Sequence, residues 1–468
     1  MSKSWDWALA EFGGVDLGDA RRTARLVAMG AATCEHPSGK VAAVFRTDRE
    51  REGAYDFLES DDVAPEEIMR GITTATVARS AGQPFVFVPV DGTSVNVVDR
   101  TGERDFGCVG SDSNGGRGAK VIDALAVDPE GTVIGWLGLT FWARSPQRKV
   151  PARDTHARQA RPVEEKETRY WIETVKAAGD ALNERSIRGW FQIDREGDGC
   201  DLLLALRDTG HWWSVRGNVD RSIQLEGGDT GRLRAQLTAG IAAGSYELQV
   251  AARPGRRART AQMVVRIAQV SLRLRDRATG RITILPVTAV WAREEGTTPA
   301  GEEPIDWLLY TNRTVDTFDH AKLVIYGYAQ RWRVEECHRT WKRGECDVES
   351  TQLRSFAAVQ RWATILAAVA TRIERLKRLA RITPNAPASL ELSPIEVQAL
   401  KMLKFDGETP ACEPTIAEAV MWLAEFGGYA NKYSGKPPGA TVLGRGLRYL
   451  RPAARMLAIQ QEASRERP

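Results

Sequence analysis

Tyr328-Ala-Gln-Arg331-Trp-Arg-Val-Glu335-Glu-Cys-His-Arg339-Thr-Trp-Lys342 is the stretch whose reading decides the fold. It reads as one helix: Tyr328, Arg331, Glu335, Arg339 and Lys342 follow three- and four-residue steps and so share a face. A core helix carries apolar residues at such steps. This face carries one carboxylate among cations and a phenol. That set suits a divalent ion held through Glu335, beside a phosphate backbone held through Arg and Lys.

A metal site needs more than one carboxylate. Asp91 closes the apolar, β-branched run Phe85-Val-Phe-Val-Pro-Val90, which reads as a buried strand. Asp194 closes Gly189-Trp-Phe-Gln-Ile193, another short apolar strand. Two acids at strand ends and a third on a later helix form a constellation for two-metal phosphoryl chemistry, with the ions about 4 Å apart. Mg2+ suits it, because Mg2+ takes a few carboxylates together with substrate phosphate oxygens; Mn2+ is the expected substitute. Glu196, Asp198 and Glu336 are neighbouring alternatives. Glu336 is one step off the shared face, and Asp198 reads as the start or support of the following helix.

With these residues in place, the chain resembles the bacterial DDE transposases of the insertion-sequence-four group, and within it the transposon-five branch. Leu17-Gly-Asp-Ala-Arg21-Arg22-Thr-Ala-Arg25-Leu26 and Glu52-Gly-Ala-Tyr55-Asp-Phe57 are similar to the family's opening segments. Asp91-Gly-Thr-Ser, Asp194-Arg-Glu-Gly-Asp198 and the Tyr-x2-Arg-x3-Glu-x6-Lys helix follow in the family's order. The resemblance implies that Asp91, Asp194 and Glu335 bind two catalytic ions and that Tyr328, Arg331 and Lys342 hold terminal phosphates. Arg339 stands where the related enzyme has a lysine. Arg216 matches a family arginine, with a structural salt bridge as its alternative. The resemblance also sets Trp307 where a tryptophan stacks on a base flipped from the transposon end; its alternative is a core position. One stacked ring offsets much of the flipping energy, at about 1–3 kcal/mol per base. Tyr328 as a covalent nucleophile is disfavoured, since three ordered acids would then be superfluous.

The net charge of +4 says little, but its distribution says more. Residues 253–281 carry nine arginines against one acid, and residues 429–455 carry six Lys or Arg and no acid. Either run suits a polyanion partner or a solvated face. The six cysteines include no C-x2-C pair and read as free thiols of a cytoplasmic protein, nucleoid-associated when on DNA. The five histidines show no zinc spacing, and no apolar run approaches the roughly 18–20 residues of a membrane span.

The expected fold class is α/β (α+β): an RNase H-like catalytic core with an inserted β-strand domain, flanked by helical domains. Residues 1–82 read as a helical DNA-binding domain, with Arg21, Arg22, Arg25 and Lys40 as DNA contacts or a charged solvent face. Residues 83–220 form the first part of the core, and 221–300 an inserted basic β-domain. That insertion accounts for the 141-residue gap between Asp194 and Glu335, too long for a simple connection. Residues 301–352 complete the core, and 353–468 are helical. The resemblance implies dimerisation there; from the residues alone, buried core helices serve equally well. The expected activity is a cut-and-paste transposase acting as a homodimer on double-stranded DNA. The alternatives are an RNase H-like nuclease without strand transfer and a non-catalytic end-binding regulator. Pro89 near the end of the first strand suggests an edge or a bulge.

Overall fold

The computed structural model describes residues 3–99, 104–110, 116–144, 161–407, 410–430 and 437–465. Helices α1 (Lys3–Phe12), α2 (Ala20–Glu35), α3 (Val41–Val44), α4 (Asp48–Glu59) and α5 (Pro65–Arg79) open the chain. Strands β1 (Val86–Val97), β2 (Gly107–Cys108), β3 (Arg117–Val127) and β4 (Val133–Trp142) follow. Next come α6 (Thr168–Asn183), β5 (Gly189–Ile193), α7 (Cys200–Asp208) and β6 (Trp212–Arg216). Then come β7 (Ser222–Gln224), β8 (Thr230–Arg232), α8 (Leu233–Ala239), β9 (Ala242–Val250), β10 (Arg259–Arg275), β11 (Ile282–Glu294) and β12 (Asp306–Thr311). The remaining helices are α9 (Phe318–Gln330), α10 (Trp332–Lys342), α11 (Phe356–Ile382), α12 (Pro394–Lys404), α13 (Ile416–Phe426) and α14 (Ala440–Arg465). Residues 145–165, polar and rich in Arg and Pro, read as a loop; as far as residue 160 they lie outside the described residues.

The ends of these helices follow from local chemistry. Asp19 accepts from the Arg21 N–H to start α2, a Thr47/Glu50 capping box starts α4, and Pro65 opens α5. The chain divides into two compact units: Met1–Gln83, Gly92–Gln147 and Arg333–Pro468 form one, Pro84–Asp91 and Arg148–Trp332 the other.

In the first unit, β3 pairs antiparallel with β4 and with the short β2. Asp128-Pro-Glu-Gly131, which reads as a turn, joins β3 to β4: Thr132 N–H donates to Asp128 Oδ1 at 2.7 Å, and Gly131 takes φ +88°. Helix α11 is buried along most of its length. Three buried tryptophans tie into its surroundings, each finding the acceptor its indole N–H needs. Trp136 donates to Ala367 O at 2.8 Å, Trp341 to Ala363 O at 2.9 Å, and Trp362 to Gly39 O at 2.8 Å. The last third of α11 packs with α12, α13 and α14 around Leu392, Leu400, Leu423 and Leu450. Helix α14 falls in the stretch read as helical and basic, and it carries Pro452 within it.

His36 ends α2, and its environment makes a pH prediction. Burial, then Arg46, Arg451 and Arg455, push its imidazole down from 6.5 to about 4. The unfolded chain therefore binds the extra proton first, so stability is intact above about 6.5 and declines as pH falls toward about 4. His36→Gln should flatten that limb in urea midpoints measured across the interval.

In the second unit the sheet is mixed. Residues 86–90 of β1 run parallel to β5, and β5 parallel to β6, with α7 as the crossover a parallel pair requires. β12 is antiparallel to β6; β11 and β10 continue the sheet as a long ribbon, with β9 and β7 on β10 and β8 on β7.

Three expectations change. The sequence reads as two strands, Phe85–Val90 and about Ser94–Asp99, but β1 is one, so Asp91 lies inside it: pairing with β5 ends at Val90, but the chain stays extended beside β3, where Gly118 would allow no Cβ against Val95 O. Pro89 marks no bulge; it pairs in register with Gln192. Val86 N–H donates to Arg188 O, so by two-residue alternation Val88 and Val90 also face β5 and the missing Pro89 donor faces away. Finally, residues 328–342 form two helices. Arg331 keeps helical dihedrals (φ −52°, ψ −31°), but its N–H reaches Tyr328 O at 3.0 Å, a tightened turn that interrupts the ladder.

Candidate active site and nucleic-acid interface

In the second unit, the β1–β5 register pairs Val90 with Ile193. Asp91 and Asp194 each follow the last paired residue, Asp91 still within β1 and Asp194 just past the end of β5; neighbouring strands lie about 4.8 Å apart. The Asp91 carboxylate accepts from Arg331 Nη1 at 2.9 Å, both side chains being mostly buried. Arg331 reaches it because α9 packs close: a Cβ on Gly327 would meet Phe87 at 2.6 Å and Gln192 at 3.2 Å. Asp194 Oδ1 accepts from Glu196 N–H at 2.7 Å and so starts a short 3-10 turn. Asp198 is a supporting residue: its buried carboxylate takes Arg221 at 2.5 Å and Asn218 N–H at 2.7 Å. Burial raises its pKa, with Arg221 acting against the rise.

Trp307 sits on β12 and is half-buried, its ring edge-on to Tyr328 at 5.6 Å. Tyr328 itself is only 6% exposed. Trp307 lines a cavity of about 640 Å³ together with Arg195, Arg216, Arg234, Arg253, Arg256 and the acids Glu302, Glu303 and Asp306. Arg216 donates to Asp306 O at 2.9 Å, and Arg234 pairs with the Asp306 carboxylate at 2.8 Å. Trp291 Nε1 donates to the same carboxylate at 3.1 Å. The cavity is thus polar and rich in guanidinium groups, with Trp307 on its wall.

In the first unit, Glu335 lies in the first turn of α10, with Arg339 and Lys342 one and two turns on. Arg339 is exposed, and its Nε lies 3.4 Å from Glu335 O. Lys342 Nζ donates to Thr93 Oγ1 at 3.1 Å and lies 3.8 Å from Glu349. The opposite face of α10 buries Val334, Cys337, His338 and Trp341. There His338 Nε2 meets Asp123 Oδ2 at 2.6 Å in full burial, which raises the Asp123 pKa while His338 opposes the rise. Glu336 pairs with Arg333 at 2.5 Å and Lys377 at 3.3 Å, and Lys377 also pairs with Glu374. Those partners engage both oxygens of Glu336.

The N-terminal cations are surface residues. The Arg21 side chain is 92% exposed and pairs with its own helix cap, Asp19. Arg22 pairs with Asp62, and Arg25 and Lys40 are exposed. Among the described residues, no three His, Cys, Asp or Glu side chains gather closely enough to hold a metal ion. The Asp123–His338 pair, the Glu336–Lys377–Glu374 set, Glu349, Arg195 and Arg234 escape sequence reasoning. Arg253 and Arg256 do not, since they fall in the basic run.

Comparison with known families matches two segments. Residues 4–63 match the transposase DNA-binding family, a stretch that includes Arg21, Arg22, Arg25 and Lys40. Residues 215–372 match the transposase DDE domain, a stretch that includes Arg216, Trp307, Tyr328, Arg331, Glu335, Arg339 and Lys342. Asp91 and Asp194 lie outside both. The DDE domain implies an RNase H-like core, in keeping with the mixed sheet and the helical N- and C-terminal regions. That family generally uses divalent metal ions. Among the described residues, no helix is long and apolar enough to cross a membrane. A transposase DNA-binding segment is thus followed along the chain by a transposase DDE domain, and the two together support a transposase that binds DNA.

Proposed function

We propose that this chain is a cut-and-paste transposase of the insertion-sequence-four group, nearest its transposon-five branch. It binds terminal inverted repeats as a homodimer, nicks the 3′ ends, closes each end as a hairpin, reopens it and inserts the element into target DNA. It works in the cytoplasm, on the nucleoid. The observation that supports this reading is the β1–β5 register, whose last pair is Val90–Ile193, the residues just before Asp91 and Asp194.

Two neighbouring carboxylates of this kind fit a hard divalent ion, and Glu335 is the third acid of the set. Asp91, Asp194 and Glu335 would hold two Mg2+, or Mn2+ in substitution. Bound there, the ions would lower the pKa of the attacking water and stabilise the leaving oxygen. The chain's own residues supply the rest. Arg331 neutralises Asp91 in the DNA-free protein. On end binding its planar fork passes to a phosphate, which frees Asp91 for its ligand role. Arg339, Lys342, Arg216 and Tyr328 hold the terminal backbone. Arg21, Arg22, Arg25 and Lys40 contact the repeat. The same reading takes residues 1–82 for repeat binding, 83–220 and 301–352 for the core, 221–300 for the insertion and 353–468 for dimerisation.

The test is cleavage of a duplex carrying the inverted repeat that flanks the gene, with purified full-length protein and Mg2+ or Mn2+. A 3′ nick followed by a hairpin band is the expected result. A nick without strand transfer would leave a nuclease, and binding without metal-dependent cleavage would leave a regulator. Trp307→Ala should spare the nick and reduce the hairpin band about tenfold or more, since the lost stacking amounts to about 1–3 kcal/mol. Equal loss of both products would return Trp307 to a packing role.

A further inference from the structure

Lys342 is one of two adjacent cations at the end of α10 that share a single carboxylate. Glu349 Oε2 accepts from Arg343 Nε at 2.6 Å, and Oε1 accepts from Asn96 Nδ2 at 2.6 Å and Asn96 N–H at 3.2 Å. Lys342 Nζ lies 3.8 Å from Oε1. That distance carries charge attraction but is too long for a hydrogen bond. An ammonium has three donors, and Thr93 Oγ1 takes one at 3.1 Å.

The carboxylate is presented by a built turn. Residues 348–350 form one 3-10 turn, entered through Asp347 at φ +44° and ψ +45°. Ser350 Oγ donates to Asp347 O at 2.8 Å, and a Cβ on Gly39 would meet that same oxygen at 2.1 Å. Left-handed backbone at a non-glycine residue persists where its surroundings over-determine it.

We infer that Glu349 is a positioning residue for Lys342, fixing its ammonium by charge while leaving donors for a phosphate. The phosphate itself rests on the function proposed above. Glu349 does not act as a plug, because its oxygens are spent on Arg343 and Asn96. The charges facing Lys342 fit this role. Burial lowers the Lys342 pKa, Arg343 and Lys120 act in the same sense, and Glu349 is the leading opposing charge, ahead of Asp123. Glu349 stays ionised because the Arg343 and Asn96 hydrogen bonds outweigh its own burial.

The experiment compares wild-type, Glu349→Gln and Glu349→Asp full-length chains. Lysine amines are trace-labelled with an acylating reagent across the alkaline range and read residue by residue by mass spectrometry. In Glu349→Gln the Lys342 midpoint should fall by about one pH unit, the scale of one nearby opposite charge, while the other lysines keep theirs. Glu349→Asp should recover part of the shift. Binding of an inverted-repeat duplex should lose its alkaline limb over the same interval. An unmoved Lys342 midpoint overturns the inference, as does tighter end binding by Glu349→Gln, which would make Glu349 a competitor for the cation. If the midpoint moves but Lys342→Ala leaves end binding unchanged, the positioning role stands and the phosphate role of Lys342 falls.

Discussion

Alanine at Asp91, Asp194 or Glu335 should lower metal-dependent cleavage of a transposon end by about 10³-fold or more. A pair of bound ions contributes several kcal/mol of transition-state stabilisation, and each 1.36 kcal/mol is about tenfold in rate. The three losses should not add, because the carboxylates act as a unit. End binding should stay within a few fold of wild type, since the repeat contacts assigned to Arg21, Arg22, Arg25 and Lys40 are untouched. The measurement is product formation on a labelled end, beside fluorescence anisotropy of the same duplex. Cleavage within tenfold of wild type in any of the three variants would remove that residue from the site.

The second large effect concerns folding. Lys377→Ala should destabilise the chain by about 3–5 kcal/mol, because removing one member of a buried ion set leaves its partners uncompensated. The Lys377 side chain is 8% exposed and the Glu374 side chain 3% exposed. The pH dependence has a definite sign. Burial tends to raise the Glu336 pKa, but Lys377 and Arg333 outweigh it and hold the carboxyl below its ordinary 4.5. Its stabilising contribution is therefore present above that value and fades as pH falls below it. The gap between Lys377→Ala and wild type should narrow on acidification. Denaturant unfolding followed by tryptophan fluorescence at neutral and acid pH checks both claims. The double variant Lys377→Met/Glu374→Met should recover part of the loss, which separates the stranded charge from lost packing.

Much of this site is legible in the sequence because its signals are local. Apolar runs stop at Asp91 and Asp194, and Glu335, Arg339 and Lys342 keep helical spacing. What escapes is set by distant partners or by conformation. Asp123 looks like any polar residue in a strand until His338 meets it, 215 residues later. The joint at Arg331 leaves no trace, because its dihedrals are still helical. The bounds of helix α14 hide because Gly444, Gly446 and Pro452 blur the apolar period of Leu443, Leu447 and Leu450. Glu349 and Lys342 are seven residues apart, but a turn with a left-handed residue brings them together.

Pro89 has a consequence for how the two acid-bearing strands find each other. With Val86 donating to Arg188 O, two-residue alternation puts Pro89 at the parity where the ladder to β5 requires no donor. Sliding β1 by one residue would turn residues 87 and 89 toward β5 and put a donorless position in the ladder. It would also swing Asp91 to the opposite face of the sheet. A buried acceptor left unmatched costs about 1–3 kcal/mol, enough to empty the slipped alignment by tenfold or more. The ring therefore acts as an error filter on strand alignment: it penalises the arrangement in which Asp91 and Asp194 would face apart, and a two-residue slip, the next allowed parity, would separate them along the strand by nearly 7 Å.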